Sequence, residues 1–140
     1  MPLAPTQTLN QTVNAGRGWL ASLHGTDQTE TITLDVTKFA AGTHYVLSTD
    51  TVQPYAKFLS GVPVGKITAS GLYGPWTPAA TDGTQLLAGF VFAEAALNPT
   101  DTKLPCALLW HGVVKAAACP VAVDPTKHTP TSQSAQIRFV

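Results

Sequence analysis

Polar and apolar residues alternate cleanly in two places along the chain. Thr29-Glu30-Thr31-Ile32-Thr33-Leu34-Asp35-Val36 puts Ile32, Leu34 and Val36 on one face, and Ala135-Gln136-Ile137-Arg138-Phe139-Val140 repeats the pattern at the other end. A period of two marks a half-buried strand. Leu86 to Ala93 is apolar on both faces, which predicts a central strand. Cys106 to Val114 reads as a second long apolar strand, with Gly112 marking a bulge or a close backbone approach. Shorter strands are expected at Tyr45 to Ser48 and Val64 to Thr68. Ala116 to Val123 fits strand or irregular coil.

Turn signals separate these runs: His24 to Asp27, Ala40 to Thr43, Asn98 to Asp101 and Asp124 to Lys127. Between Val64 and Phe90 they are densest. An aromatic loop, Leu72-Tyr73-Gly74-Pro75-Trp76, is followed by the polar turn Ala79-Ala80-Thr81-Asp82-Gly83. Many short strands with frequent turns predict an all-β fold with little helix, a small sandwich or barrel-like domain. Gly and Pro number 11 each, which further disfavours long helices.

Residues 1–18 differ from the rest. They are polar, rich in Thr, Gln and Asn, and carry Pro2 and Pro5. Leu3, Leu9 and Val13 offer too little apolar surface to fold alone, so an extended, flexible arm is expected. Residues 19–140 then form a single β-rich domain. Thr8 to Val13 alternates enough to pair with a strand edge offered by a partner.

The chain has 140 residues and can bury roughly two-thirds of its unfolded surface without a metal or disulfide. Formal net charge is zero and only 11% of residues are charged. No basic excess is present to track phosphates, so no direct nucleic-acid partner is expected. Low charge leaves little protection against association. No apolar run reaches the ~20 residues of a membrane span, and the N-terminus reads as no export signal, so synthesis in a cytoplasm and reduced Cys106 and Cys119 are expected.

Catalytic patterns are weak. Cys106 and His111 lie on one expected strand, facing opposite ways, with no Asn or Asp beside them to orient the histidine. His24, His44, His111 and His128 have no pair at zinc-site spacing, and no metal or other cofactor is expected. The acidic residues are isolated, and the glycines near Gly71 and Gly74 lack the ending of a phosphate-binding loop. Enzymatic activity is therefore not expected. Trp19, Trp76 and Trp110 fit core or interface roles better than ligand stacking. Tyr73, Pro75, Trp76 and Pro78 form the candidate oligomer or partner interface, because packing a tryptophan between two prolines into a core is difficult.

The stretch Gly65-Lys66-Ile67-Thr68, with Gly71, Tyr73 and Pro75, resembles the G-K-I-T-x-x-G-x-Y-x-P segment of lambda-type phage head decoration proteins. In that family an A-A-x-D-G turn and an A-G-hydrophobic strand follow, similar to Ala79 to Gly83 and Ala88-Gly89-Phe90. Leu109 to Ala117 looks like its V-x-H-G-x-V-x-A-A segment, with Val113 and Lys115 where Glu and Asn are common. Thr31 to Leu34 and Ala41-Gly42-Thr43-His44-Tyr45 are similar to decoration proteins of actinobacterial phages. The resemblance covers Thr29 to Val140. It implies a structural virion protein on the outside of the expanded head, a homotrimer at three-fold and quasi-three-fold sites that holds the shell against DNA pressure. Its partners would be the major capsid protein and its own copies. In that setting Leu3, Thr6, Thr8, Leu9, Thr12 and Val13 are the expected capsid-binding residues of the arm. The competing expectation is a β-sandwich module for carbohydrate or a host surface.

Overall fold

The computed structural model describes residues 18–27, 29–47, 55–98, 100–128, 130–131 and 134–140. Ten strands follow one another among the described residues: β1 (Thr29–Asp35), β2 (Tyr45–Val46), β3 (Ala56–Phe58), β4 (Pro63–Lys66), β5 (Tyr73–Pro75), β6 (Gly89–Val91), β7 (Ala95–Leu97), β8 (Lys103–Leu109), β9 (His111–Val114) and β10 (Gln136–Phe139). Among the described residues, helix is confined to single 3-10 turns at Val36–Lys38, Ala116–Ala118 and Pro125–Lys127. The fold is all-β, as expected, and its centre is a closed barrel in the order β1-β5-β4-β6-β8.

Alternation builds the first wall of that barrel. Ile32 and Leu34 turn inward and are buried, while Thr29, Glu30 and Thr31 remain exposed. β1 runs antiparallel to β8 along its whole length, from Thr29 opposite Leu109 to Asp35 opposite Lys103. Asp35 ends the strand by accepting hydrogen bonds from the Thr37 N–H (3.2 Å) and hydroxyl (2.5 Å). Val36 thus stays buried at the head of a 3-10 turn instead of extending the ladder. β5 closes the barrel, parallel to β1 at Leu34–Tyr73 and antiparallel to β4.

Two cores result. The larger joins the barrel interior to the sheet β2-β3-β7 through Leu34, Phe58, Val64, Val91, Leu97 and Leu108. Phe39 lies edge-on to Phe58, with ring centroids 5.0 Å apart, and ties the first 3-10 turn to that sheet. The second core lies under the parallel pair β9–β10 and holds Trp19, Leu87, Phe90, Leu109, Val114 and Ile137. Trp19 is 2% exposed and stacks on Phe90 at 5.8 Å. Its indole N–H donates to Ser60 Oγ at 3.2 Å. Two backbone bonds, Ala21 N–H to Val113 O (3.0 Å) and Lys115 N–H to Trp19 O (2.7 Å), lay residues 19–21 along β9.

Three expected elements differ in the structure. The run Leu86 to Ala93 is a strand only over Gly89–Val91. Leu87 is used in the second core and Leu86 is 40% exposed, so the chain kinks rather than extends. A Cβ at Gly89 would collide with the Leu109 carbonyl, which confines that position to glycine. The run Cys106 to Val114 is two strands, because the chain passes at Trp110 from the barrel to the β9–β10 sheet. Cys106 and His111 therefore lie on different strands, not one. Gly112 does mark a close approach: a Cβ there would sit 3.2 Å from the His24 carbonyl oxygen. Finally, Tyr73–Pro75, expected as a loop, is a barrel strand. Pro75 is tolerated because β5 joins β1 only at Tyr73, and β1 has already turned away where the missing N–H would point.

Candidate interface surfaces

The segment from Tyr73 to Ala88 is held by a dense set of hydrogen bonds and close backbone contacts. Tyr73 and Pro75 share one face of β5 and are half-buried, whereas Gly74 between them is buried on the other face. Tyr73 packs against the larger core and Trp76 against the second, so four residues bridge the two. Burial raises the Tyr73 phenol above its usual range, with a smaller contribution from the Glu30 carboxylate. The Trp76 indole N–H donates to the Gln85 carbonyl at 3.0 Å. Pro78 is exposed. Tyr73, Pro75, Trp76 and Pro78 thus follow one another along β5 and the segment after it, with Trp76 packed against the second core.

Residues 82–86 fold back over the hairpin of β4 and β5. Asp82 Oδ1 accepts from the Thr84 N–H (3.1 Å) and hydroxyl (2.6 Å). The Thr68 N–H donates to Asp82 O at 2.9 Å and the Thr77 N–H to Thr84 O at 3.0 Å. Thr84 is buried by this fold-back. Gly65 exists to admit it: a Cβ there would lie 2.6 Å from Thr84 Cα and 2.8 Å from Leu86 O.

The two hydrogen bonds from Thr84 hold the Asp82 carboxyl below the usual carboxylate range, and Thr126 does the same for Asp124. A depressed folded value means stability that is present above the unfolded value and lost as pH falls through the folded one. Melting temperature should therefore decline below about pH 4. Asp82→Asn keeps an acceptor for Thr84 but removes the titration, so it should flatten part of that decline in melts run from pH 6 to pH 3. Trp76→Ala should lower stability by about 2 kcal/mol, since a half-buried indole and its hydrogen bond are lost together. Chemical denaturation measures this directly.

Other exposed apolar side chains were not singled out by the sequence pattern. Val46, Leu47 and Tyr55 are 46%, 51% and 50% exposed where β2 ends and β3 begins, and Leu23 is 81% exposed. No periodicity distinguishes them from strand residues, because exposure here depends on which edge is left uncovered. The expected arm residues Leu3, Thr6, Thr8, Leu9, Thr12 and Val13 lie outside the described residues.

Cys106 and Cys119 carry free thiols. Burial pushes Cys106 up to about 12 and Cys119 up to about 11, so neither offers a thiolate near neutral pH. His44 Nδ1 accepts from the Ala40 N–H at 2.9 Å and its ring meets Phe39 edge-on, which fixes the Ala41 to Tyr45 turn. Among the described residues no three His, Cys, Asp or Glu side chains gather as metal ligands. A cleft beside Trp19, Ser60 and Glu94 holds about 190 Å³, short of the ~300 Å³ of small ligand sites.

A family model described as Bacteriophage lambda head decoration protein D matches residues 26–135. Comparison with curated proteins and comparison with solved structures each gave no match.

Proposed function

This chain belongs to the bacteriophage lambda head decoration protein D family, and from that premise we propose that it binds the expanded head as a homotrimer at three-fold and quasi-three-fold sites and stabilises the shell against DNA pressure. Membership places it among the decoration proteins on the exterior of the phage capsid. The family match is the observation that carries the reading, because it spans every barrel strand from β1 to β8 and continues through β9. The partners are the major capsid protein and two further copies of this chain, and synthesis takes place in the host cytoplasm before assembly.

Physical features support it. Zero net charge and few ionic groups suit a surface that rests against others. The contact falls near Tyr73, Pro75, Trp76 and Pro78, where half-exposed aromatic and proline surface is held on a hydrogen-bonded loop that loses little entropy on docking. The N-terminal arm, through Leu3, Thr6, Thr8, Leu9, Thr12 and Val13, adds a strand to an edge on the capsid protein. Three arms in one trimer multiply a modest interface.

Co-sedimentation with heads before and after expansion tests the reading. Binding to expanded heads alone is expected. Equal binding to both forms, or to neither, would refute it.

A further inference from the structure

Two His-Gly dipeptides far apart in the chain, His24-Gly25 and His111-Gly112, meet in the fold. The imidazole ring centroids are 4.9 Å apart and the planes cross at 79°. Each glycine admits the other segment. A Cβ at Gly25, whose φ is +81°, would collide with the His111 carbonyl, and one at Gly112 would press on the His24 carbonyl. The same Cβ position on Gly25 lies 3.3 Å from His111 Nδ1, so that nitrogen faces the turn that carries His24.

The His111 ring and the turn that carries His24 are each held in place. His111 stacks on Trp110 at 5.4 Å and belongs to β9, paired with Gln136. The His24 turn is fixed by the Thr26 hydroxyl and N–H, which donate to Leu23 O at 2.7 Å and 3.2 Å, and by the His24 N–H, which donates to Ser22 Oγ at 3.1 Å. His24 is exposed and His111 half-buried, so solvent reaches the pair.

We propose that His24 and His111 form a two-imidazole site for a divalent first-row transition-metal ion of the Ni²⁺, Cu²⁺ or Zn²⁺ class. Imidazole nitrogen is a preferred donor for these ions. With metal–nitrogen bonds of about 2.0–2.1 Å, two rings ligating one ion at 90–110° have centroids about 4.5–5 Å apart. The observed centroid spacing of 4.9 Å is compatible with that arrangement, which the rings reach by turning from their present edge-to-face contact. No third protein ligand joins the pair among the described residues, so water completes the coordination shell. Such a site binds more weakly than a closed structural zinc site. Its effect is to cross-link the turn at 24–27 to β9.

The test uses the full chain without heads, so its outcome does not depend on the capsid reading. Titration with NiCl₂, followed by NMR of the imidazole protons, should broaden the His24 and His111 signals first and saturate at one ion per chain. His24→Ala, at an exposed position, should weaken binding at least tenfold, while His44→Ala and His128→Ala leave it unchanged. ZnCl₂ should raise the melting temperature of the intact chain and not that of His24→Ala. Absence of broadening at these two rings at millimolar nickel, or binding that survives His24→Ala, would overturn the proposal.

Discussion

Gly65→Ala should lower the unfolding free energy by about 3 kcal/mol or more, although it adds one methyl group. The added Cβ would meet the main chain of Thr84 at 2.6 Å and the carbonyls of Thr84 and Leu86 at 2.8 Å. Main chain cannot rotate away as a side-chain tip can. Residues 84–86 would have to lift, yet the hydrogen bonds of Asp82, Thr77 and Trp76 hold them down. Leu87, 1% exposed in the second core, follows directly and would be dragged with them. The loss is a large part of the 5–15 kcal/mol of an ordinary domain. Gly18→Ala is the control, since a Cβ there meets nothing within 4 Å. Urea denaturation of both variants decides the matter: a Gly65→Ala midpoint equal to that of the intact chain would show that the fold-back is not packed as described.

The pattern of the chain reveals some of this architecture and hides the rest for identifiable reasons. β1 and β10 are legible because one face of each is buried and the other wet. The four turns at Asp35, Asp82, Asn98 and Asp124 share one device, an Asp or Asn whose carboxyl or amide oxygen accepts from the N–H and hydroxyl of a Thr two residues later. That Asx/Thr spacing can be read from residue names alone. β5 is not legible, since Tyr-Gly-Pro is turn chemistry by composition and becomes a strand only because β1 and β4 flank it. The break at Trp110 is hidden too, because Cys106 to Val114 is apolar apart from His111 and the chain changes partners with no turn signal between. His24 and His111 fall together only through tertiary folding, which no local spacing signals. The candidate interface at Tyr73 to Pro78 is visible as an aromatic, proline-rich segment, but the half-burial of Trp76 against the second core is not.

Deleting residues 2–14 should leave the melting temperature nearly unchanged and lower affinity for expanded heads at least about a hundredfold, the loss expected when three linked contacts are removed from the proposed trimer. The backbone bonds that secure residues 19–21 to β9 involve none of the deleted residues. The arm has only Leu3, Leu9 and Val13 as sizeable apolar groups. Those three are too few to offset the entropy of ordering the arm by itself. In the proposed arrangement, pairing with a preformed strand edge on the shell supplies the main-chain hydrogen bonds that the free arm lacks. A truncated chain that decorates heads as tightly as the intact one would remove the arm from the account.

Electron microscopy of expanded, undecorated heads incubated with the purified chain tests the central claim most directly. Density for three copies of the barrel is expected on the outer surface at every three-fold and quasi-three-fold position, with decorated heads that withstand heating better than bare ones. Density for single copies scattered off those axes, or heads that stay bare at saturating protein, would contradict it.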